Sequence, residues 1–215
     1  MAQSYFVIGT DTNVGKTYIA SALVKHFADK GFKAIGMKPI ASGCELNDKS
    51  ELINEDVTAL VKASNVKVAL DLVNPYRFVP AIAPHIAAKQ AGIIIELEVI
   101  DSAYEQLADL ADVVIVEGAG GFCVPLNNTE TLANLAVQLN IPIILVVGMR
   151  LGCINHALLT VEAIQARSLK LAGWVANEIE PNFVMFDENL ASLQQRIAAP
   201  CLSVVKWKDS AQFQL

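Results

Sequence analysis

A chain of 215 residues, 53% apolar and only 18% charged, has ample material for one buried core and lies far from the composition of disordered chains. A net charge of −6 argues against nucleic acid as the main partner, so any anionic ligand must find a local positive site. The cysteines Cys44, Cys123, Cys153 and Cys201 are too widely spaced for paired zinc ligands and read as free thiols of a reducing compartment. The opening MAQSYFVIGTDT lacks a basic, apolar leader, and no apolar run reaches membrane-spanning length. A cytoplasmic chain with no membrane partner is expected.

In chain order, residues 5–9 form an apolar run ending in glycine and predict a strand. Residues 16–30 carry Ile19, Leu23, Val24 and Phe27 at helical spacing, and Gly31 supplies a left-handed stop. Residues 34–38 predict a second strand, closed by Pro39, and 55–63 and 96–111 read as helices. The unbroken runs at 113–116 and 143–147 predict strands buried on both faces, as in a parallel sheet covered by helices. Then 156–167 reads as helix, 171–176 as strand, 186–197 as helix and 202–205 as a last strand. No repeat or linker interrupts the series. Residues 1–215 are therefore expected to form a single α/β domain, an open, mostly parallel sheet flanked by helices. Ligands of such sheets bind beyond the carboxyl ends of the strands, after Gly9, Met37, Val116, Val147 and Val175.

The segment GTDTNVGKT (9–17) lies between a predicted strand and a predicted helix, the context a phosphate loop requires. Backbone N–H groups there would cradle phosphate oxygens, Lys16 would reach the β and γ phosphates, and the Thr17 hydroxyl could ligate Mg²⁺. The spacing departs from G-x-x-x-x-G-K-[ST], because Gly9 stands one residue too far from Gly15 and Thr10 takes its place. Glu117 follows the strand VVIV and precedes GAGG, so it is placed at a strand end where a carboxylate can hold Mg²⁺. Asp56 reads locally as an acidic residue in the first turn of a helix. Lys38, held extended by Pro39, either neutralises an anion beside the phosphate loop or sits in solvent; sequence leaves both open. His85 and His156 lack partners at metal-ligand spacing and receive no catalytic role, and Trp174 and Trp207 read as packing or base-stacking residues.

Together, GTDTNVGKT (9–17), KPIASG (38–43), NPY (74–76), APH (83–85), VEGAGG (116–121), VVGMRLGCINHA (146–157) and LAGWVAN (171–177) resemble the dethiobiotin synthetase family, a P-loop family. The resemblance implies closure of the ureido ring of dethiobiotin from 7,8-diaminononanoate and CO₂ with ATP and Mg²⁺, through a carbamate and a carbamic–phosphoric anhydride. It implies nucleotide contacts from Asn13, Val14, Gly15, Lys16, Thr17, Glu117, Gly118, Ala119 and Gly120, with adenine read by Asn177. Lys38 would act on the carbamate and the transferring phosphoryl, together with Lys16 and Thr12. Thr12 and Ser42 would position the substrate, and Thr17, Asp56 and Glu117 would serve the metal. It further implies a homodimer in which Gly152, Cys153, Ile154 and Asn155 open a helix that receives the substrate carboxylate in the neighbouring subunit.

Three positions depart from the family pattern. Asn13 stands where glutamate is usual, Arg150 replaces a lysine, and SVVKWK (203–208) replaces a proline-containing turn, which is expected to relax base selectivity. The rival readings are a cobyrinate-type amidotransferase, for whose glutaminase domain the chain is too short, a switch ATPase and a catalytically silent nucleotide-binding module. Switch ATPases of the septum-site type carry a second lysine early in the loop, where this chain has Asp11.

Overall fold

The apolar runs of the sequence become the strands of one parallel sheet. The computed structural model describes residues 2–48, 50–181 and 183–214. In chain order the first half comprises β1 (Gln3–Gly9), α1 (Lys16–Asp29), β2 (Ala34–Met37), β3 (Ile40–Ser42), β4 (Glu45–Leu46), β5 (Leu52–Ile53), α2 (Glu55–Ala63), α3 (Leu70–Val73), β6 (Tyr76–Phe78) and α4 (Pro84–Gln90). The second half comprises α5 (Leu97–Leu110), β7 (Val113–Gly121), α6 (Leu132–Leu139), β8 (Ile143–Met149), α7 (Cys153–Gln165), β9 (Leu171–Glu178), α8 (Phe186–Arg196) and β10 (Cys201–Val205).

The six-stranded sheet runs β10-β9-β8-β1-β7-β2, and every pairing in it is parallel. Successive side chains of β1 enter different cores. Phe6 and Ile8 join the apolar faces of α5, α6 and α7, while Val7 packs with Ile19, Leu23 and Phe27 of α1 and with Leu60 of α2. A strand covered on both faces has no polar side to alternate with, which is why it reads as an unbroken apolar run. Each fully buried side chain of the α1 stripe contributes roughly 1.5–3 kcal/mol relative to exposure. Gly31 ends the helix at φ 88°, as expected of a left-handed stop, with its N–H donating to Ala28 O at 3.0 Å.

After β1 the chain crosses to β2 on one side, and β8 lies on its other side, so a crevice opens at the carboxyl end of β1 between β7 and β8. Such switch points are where open α/β sheets bind ligands.

The structure corrects the sequence reading in several places. β7 runs on past Val116 through Gly121, so Glu117 lies within a strand, opposite Val7, and not at its end. The small residues after it hide this from a pattern of apolar side chains. They are small because neighbours press close: a Cβ on Gly118 would lie 2.8 Å from Leu132 Cδ2. α7 begins at Cys153, ahead of the 156 expected from apolar spacing and within the 152–155 segment that the family resemblance expected to open a helix. The expectation also missed α3, α4, α6 and the short strands β3 to β6. α6 is nearly all apolar and is opened by a Thr131–Asn134 capping box, with asparagine in place of the usual Glu or Gln.

Candidate active site

The loop between β1 and α1 folds so tightly that its glycines are dictated by contact. A Cβ on Gly9 would lie 2.6 Å from Val14 Cγ2 and 3.0 Å from Lys16 Cδ, so glycine is required although it falls outside the common spacing. Asn13 takes a left-handed conformation at φ 59°. Gly15, at φ 86°, caps α1, and a Cβ there would lie 2.2 Å from Asn177 Nδ2. Lys16 turns back along the loop and donates to Asp11 O at 2.8 Å; it is 6% exposed. Burial, reinforced by the nearby Lys38 charge, lowers its pKa to about 8.

A second buried ammonium lies beside it. Lys38 sits between β2 and β3 and is 4% exposed, which discards the solvated alternative. Its Nζ donates to Glu117 Oε1 at 2.5 Å and to Gly118 O at 3.1 Å, and lies 3.2 Å from Asp56 Oδ2. Burial alone would lower the Lys38 pKa; the charges of Glu117 and Asp56 overcome it, and the net shift is upward. For Asp56, burial pushes the pKa up, but the Lys38 charge brings it below the usual value. The single Thr17 hydroxyl proton is donated to Glu117 Oε1 at 2.8 Å. Glu117 is 1% exposed, and its Oε2 has no hydrogen-bond partner among the described residues. Four segments distant in sequence, α1, the β2–β3 junction, α2 and β7, thus bring Lys16, Thr17, Lys38, Asp56 and Glu117 together.

The remaining expected residues surround this cluster unevenly. Thr12 lies across from Gly120, where an added Cβ would be 3.5 Å from its Oγ1, and Gly120 is left-handed at φ 65°. Ser42 Oγ is buried without a hydrogen-bond partner among the described residues. Asn177, 8% exposed, donates through Nδ2 to Val14 O at 2.9 Å, so one of its amide hydrogens supports the phosphate loop. Gly152, at φ 92°, precedes α7, which has no side-chain cap, and no hydrogen bond or ion pair among the described residues joins 152–155 to the Lys38 cluster within one chain. Trp174 is fully buried in the core, whereas Trp207 lines a cleft of about 330 Å³ with Asn13, Gly15, Asn177 and Glu178.

Two supporting contacts escaped the sequence. Asn74, fully buried, donates to Lys38 O at 2.6 Å and to Tyr76 O at 3.1 Å, fixing the backbone that presents Lys38. Its sequence signals are an asparagine before a proline and its place in the NPY segment of the family resemblance, neither of which shows what it bonds. Arg150 pairs with Asp11 across 2.6 Å, which ties the phosphate loop to the loop after β8. Asp11 occupies the position where switch ATPases have their second lysine.

A strand–loop–helix phosphate cradle at the carboxyl end of a central parallel strand, with a carboxylate on the neighbouring strand, places the molecule in the class of P-loop nucleotide-binding α/β proteins. The model of the family described as AAA domain matches residues 3–214. The septum site-determining protein MinD from Pyrococcus horikoshii, solved with Mg-ADP, superposes with a TM-score of 0.57 at 13% identity over 96% of this chain and 82% of that one. The signal recognition particle receptor FtsY from Elizabethkingia anophelis, solved with GDP, gives 0.53 at 16% identity, and this chain spans 61% of its length. Those likenesses show the fold. Among curated proteins, the ATP-dependent dethiobiotin synthetase BioD of Nitrosospira multiformis is 52% identical over 98% of this chain and 91% of its own length. Those of Aromatoleum aromaticum and Pseudoalteromonas translucida are 52% and 43% identical over 94% and 96% of this chain. The chain belongs to the dethiobiotin synthetase family.

Proposed function

We propose that this chain uses ATP and CO₂ to carboxylate 7,8-diaminononanoate and close it to dethiobiotin, a step of biotin synthesis. The observation that carries the reading is a second buried ammonium, Lys38, beside the phosphate loop of a chain so close to named dethiobiotin synthetases. Holding a nucleotide needs Lys16; a second such charge suits an anion that develops on an acceptor. CO₂ adds to one amine, which releases a proton and gives a carbamate. A carbamate oxygen attacks the γ-phosphorus and displaces ADP. The second amine then attacks the carbamoyl carbon of the mixed anhydride, displaces phosphate and closes the ring.

The N–H groups from Asn13 to Thr17 and the Lys16 ammonium hold the phosphates, with Glu117, Gly118, Ala119 and Gly120 along the facing strand. Lys38 balances charge on the carbamate and the transferring group, and Thr12 and Ser42 orient the acceptor. Thr17, Asp56 and Glu117 would hold Mg²⁺. The donor set fits: two carboxylates and a hydroxyl, with the buried Glu117 Oε2 lacking a partner among the described residues. Mg²⁺ is commonly held by one or two carboxylates plus phosphate oxygens, and among the described residues no cluster of three Asp, Glu, His or Cys offers a denser cage. When bound it would offset negative charge on the β and γ phosphates. Asn177 keeps its Oδ1 and second amide hydrogen for adenine.

Phosphate release is expected to require both the diamine and CO₂, with dethiobiotin detected by mass after incubation with ATP, Mg²⁺, bicarbonate and diaminononanoate. Brisk ATP hydrolysis that ignores the diamine would favour a switch ATPase.

The same reading includes a homodimer that presents the N-terminus of α7 to the substrate carboxylate in the other subunit. Supporting it, Leu151 and Leu159 leave large apolar side chains 94% and 56% exposed at that end and along that helix. Turnover is then expected only from the dimer, and sedimentation at assay concentration checks it; a fully active monomer refutes the shared site. No helix among the described residues is long and apolar enough to cross a membrane.

A further inference from the structure

We infer that Tyr18 is a specificity-determining positioning residue, whose hydroxyl holds the C-terminal strap over the base end of the nucleotide cleft. The inference rests on the proposal that this cleft takes ATP. Tyr18 follows Thr17 in the first turn of α1, so one turn of helix carries a hydroxyl toward the phosphates and a phenol toward the cleft lined by Trp207. Tyr18 is 45% exposed, yet its hydroxyl is engaged twice, donating to Asp209 O at 2.7 Å and accepting from Ala211 N at 3.1 Å.

The start of the strap is anchored elsewhere. Trp207 N donates to Glu178 Oε2 at 3.0 Å. Lys206 lies over the Phe186 ring, 3.3 Å from its centroid, with Asp187 Oδ1 3.6 Å away. Its charge thus faces α8. A turn closed by Asp209 N on Lys206 O follows, with Lys208 left-handed at φ 63°. Tyr18 ties the turn itself, at Asp209 and Ala211, to the helix of the phosphate loop, and Phe213 packs further along that helix on His26. Without its hydroxyl the strap remains attached at Glu178 and α8 before the turn, and beyond it by Phe213 against His26 and by Gln214 N donating to Leu202 O, but the turn at Asp209 loses its tie to α1. The cleft of about 330 Å³ is small on the scale of ligand pockets, so a modest displacement changes how closely Trp207 and its neighbours meet a base. The phosphate cradle, built from residues 9–17, is left as it was.

The test compares Tyr18→Phe, which keeps the ring and removes both hydrogen bonds, with the unaltered protein. Calorimetry with Mg²⁺ measures binding of ATP and of inorganic tripolyphosphate as separate probes. The dissociation constant for ATP is expected to rise about tenfold, equivalent to about 1.4 kcal/mol. That for tripolyphosphate is expected to stay within about twofold, and kcat at saturating ATP to be unchanged, because the hydroxyl acts on uniform binding. Unchanged ATP affinity overturns the inference, as does an equal loss for both probes, which would mean a general disturbance of α1. Wild-type protein that binds ATP no better than tripolyphosphate shows that the cleft takes no base and also overturns it. Wild-type protein that binds neither probe overturns the nucleotide reading itself.

Discussion

Lys38→Ala is expected to lower kcat by about 10²–10³-fold while leaving ATP affinity within about threefold, the pattern of an interaction made chiefly in the transition state. The ammonium is 4% exposed and meets Glu117 and Asp56, so water cannot replace it where negative charge develops. The same change also leaves Glu117, 1% exposed, without its counter-charge. Breaking a buried pair in this way costs about 3–5 kcal/mol, and a loss of Tm is expected alongside the loss of turnover. Adding Glu117→Gln removes the stranded charge, so the double variant is expected to regain most of the Tm and none of the kcat. Thermal melts and single-turnover kinetics on the two variants and the unaltered protein separate the two roles. A Lys38→Ala variant with wild-type kcat removes Lys38 from the mechanism.

Lys16→Ala is expected to act on binding and chemistry together, with ATP affinity weakened about 10–100-fold and kcat/KM lowered by at least about 10³-fold. Lys16 also carries a pH signature. Its pKa of about 8 in the free protein lies below the ordinary 10.5, so between these values the folded chain holds fewer protons than the unfolded chain, and this group's contribution to stability rises with pH over that window. Phosphates beside the ammonium raise its pKa again. ATP binding near pH 8 is therefore expected to take up as much as about half a proton and to weaken as pH climbs further. Calorimetry in buffers of different ionisation enthalpy measures the uptake. Lys16→Ala should abolish this component, and an uptake that persists in the variant assigns the proton to another group.

The two lysines show where the sequence was sufficient. Lys16 was legible because its role is local: a strand, a tight loop and a helix N-terminus are consecutive, so residues 5–30 by themselves bring backbone N–H groups and ammonium together. The parallel sheet was legible for a related reason, since strands buried on both faces have no polar alternation at 113–116 and 143–147. Lys38 was not legible in this way. From its neighbours it was as much a surface lysine as a buried one, and only the resemblance of KPIASG singled it out. Its burial comes from β7, whose Glu117 is 79 residues away, and from Asn74, which fixes its backbone.

The extension of β7 through Gly121 escaped because small residues carry no apolar period, while backbone pairing with β1 does not depend on side chains. The strap was invisible for a different reason. Nothing near Lys206 in sequence shows what it meets, but α8 supplies a ring and a carboxylate that hold it, and Tyr18 fastens the turn beyond it. The sequence by itself determined the chain order of the six main-sheet strands, the phosphate loop and the parallel class of the sheet, because these follow from local geometry and from periodic burial. Only the tertiary structure decided which charges are buried and what pairs with them. Burial and pairing depend on the close approach of strands and helices far apart in the chain, and a pKa or a hydrogen bond answers to that distance in space and not to separation in sequence.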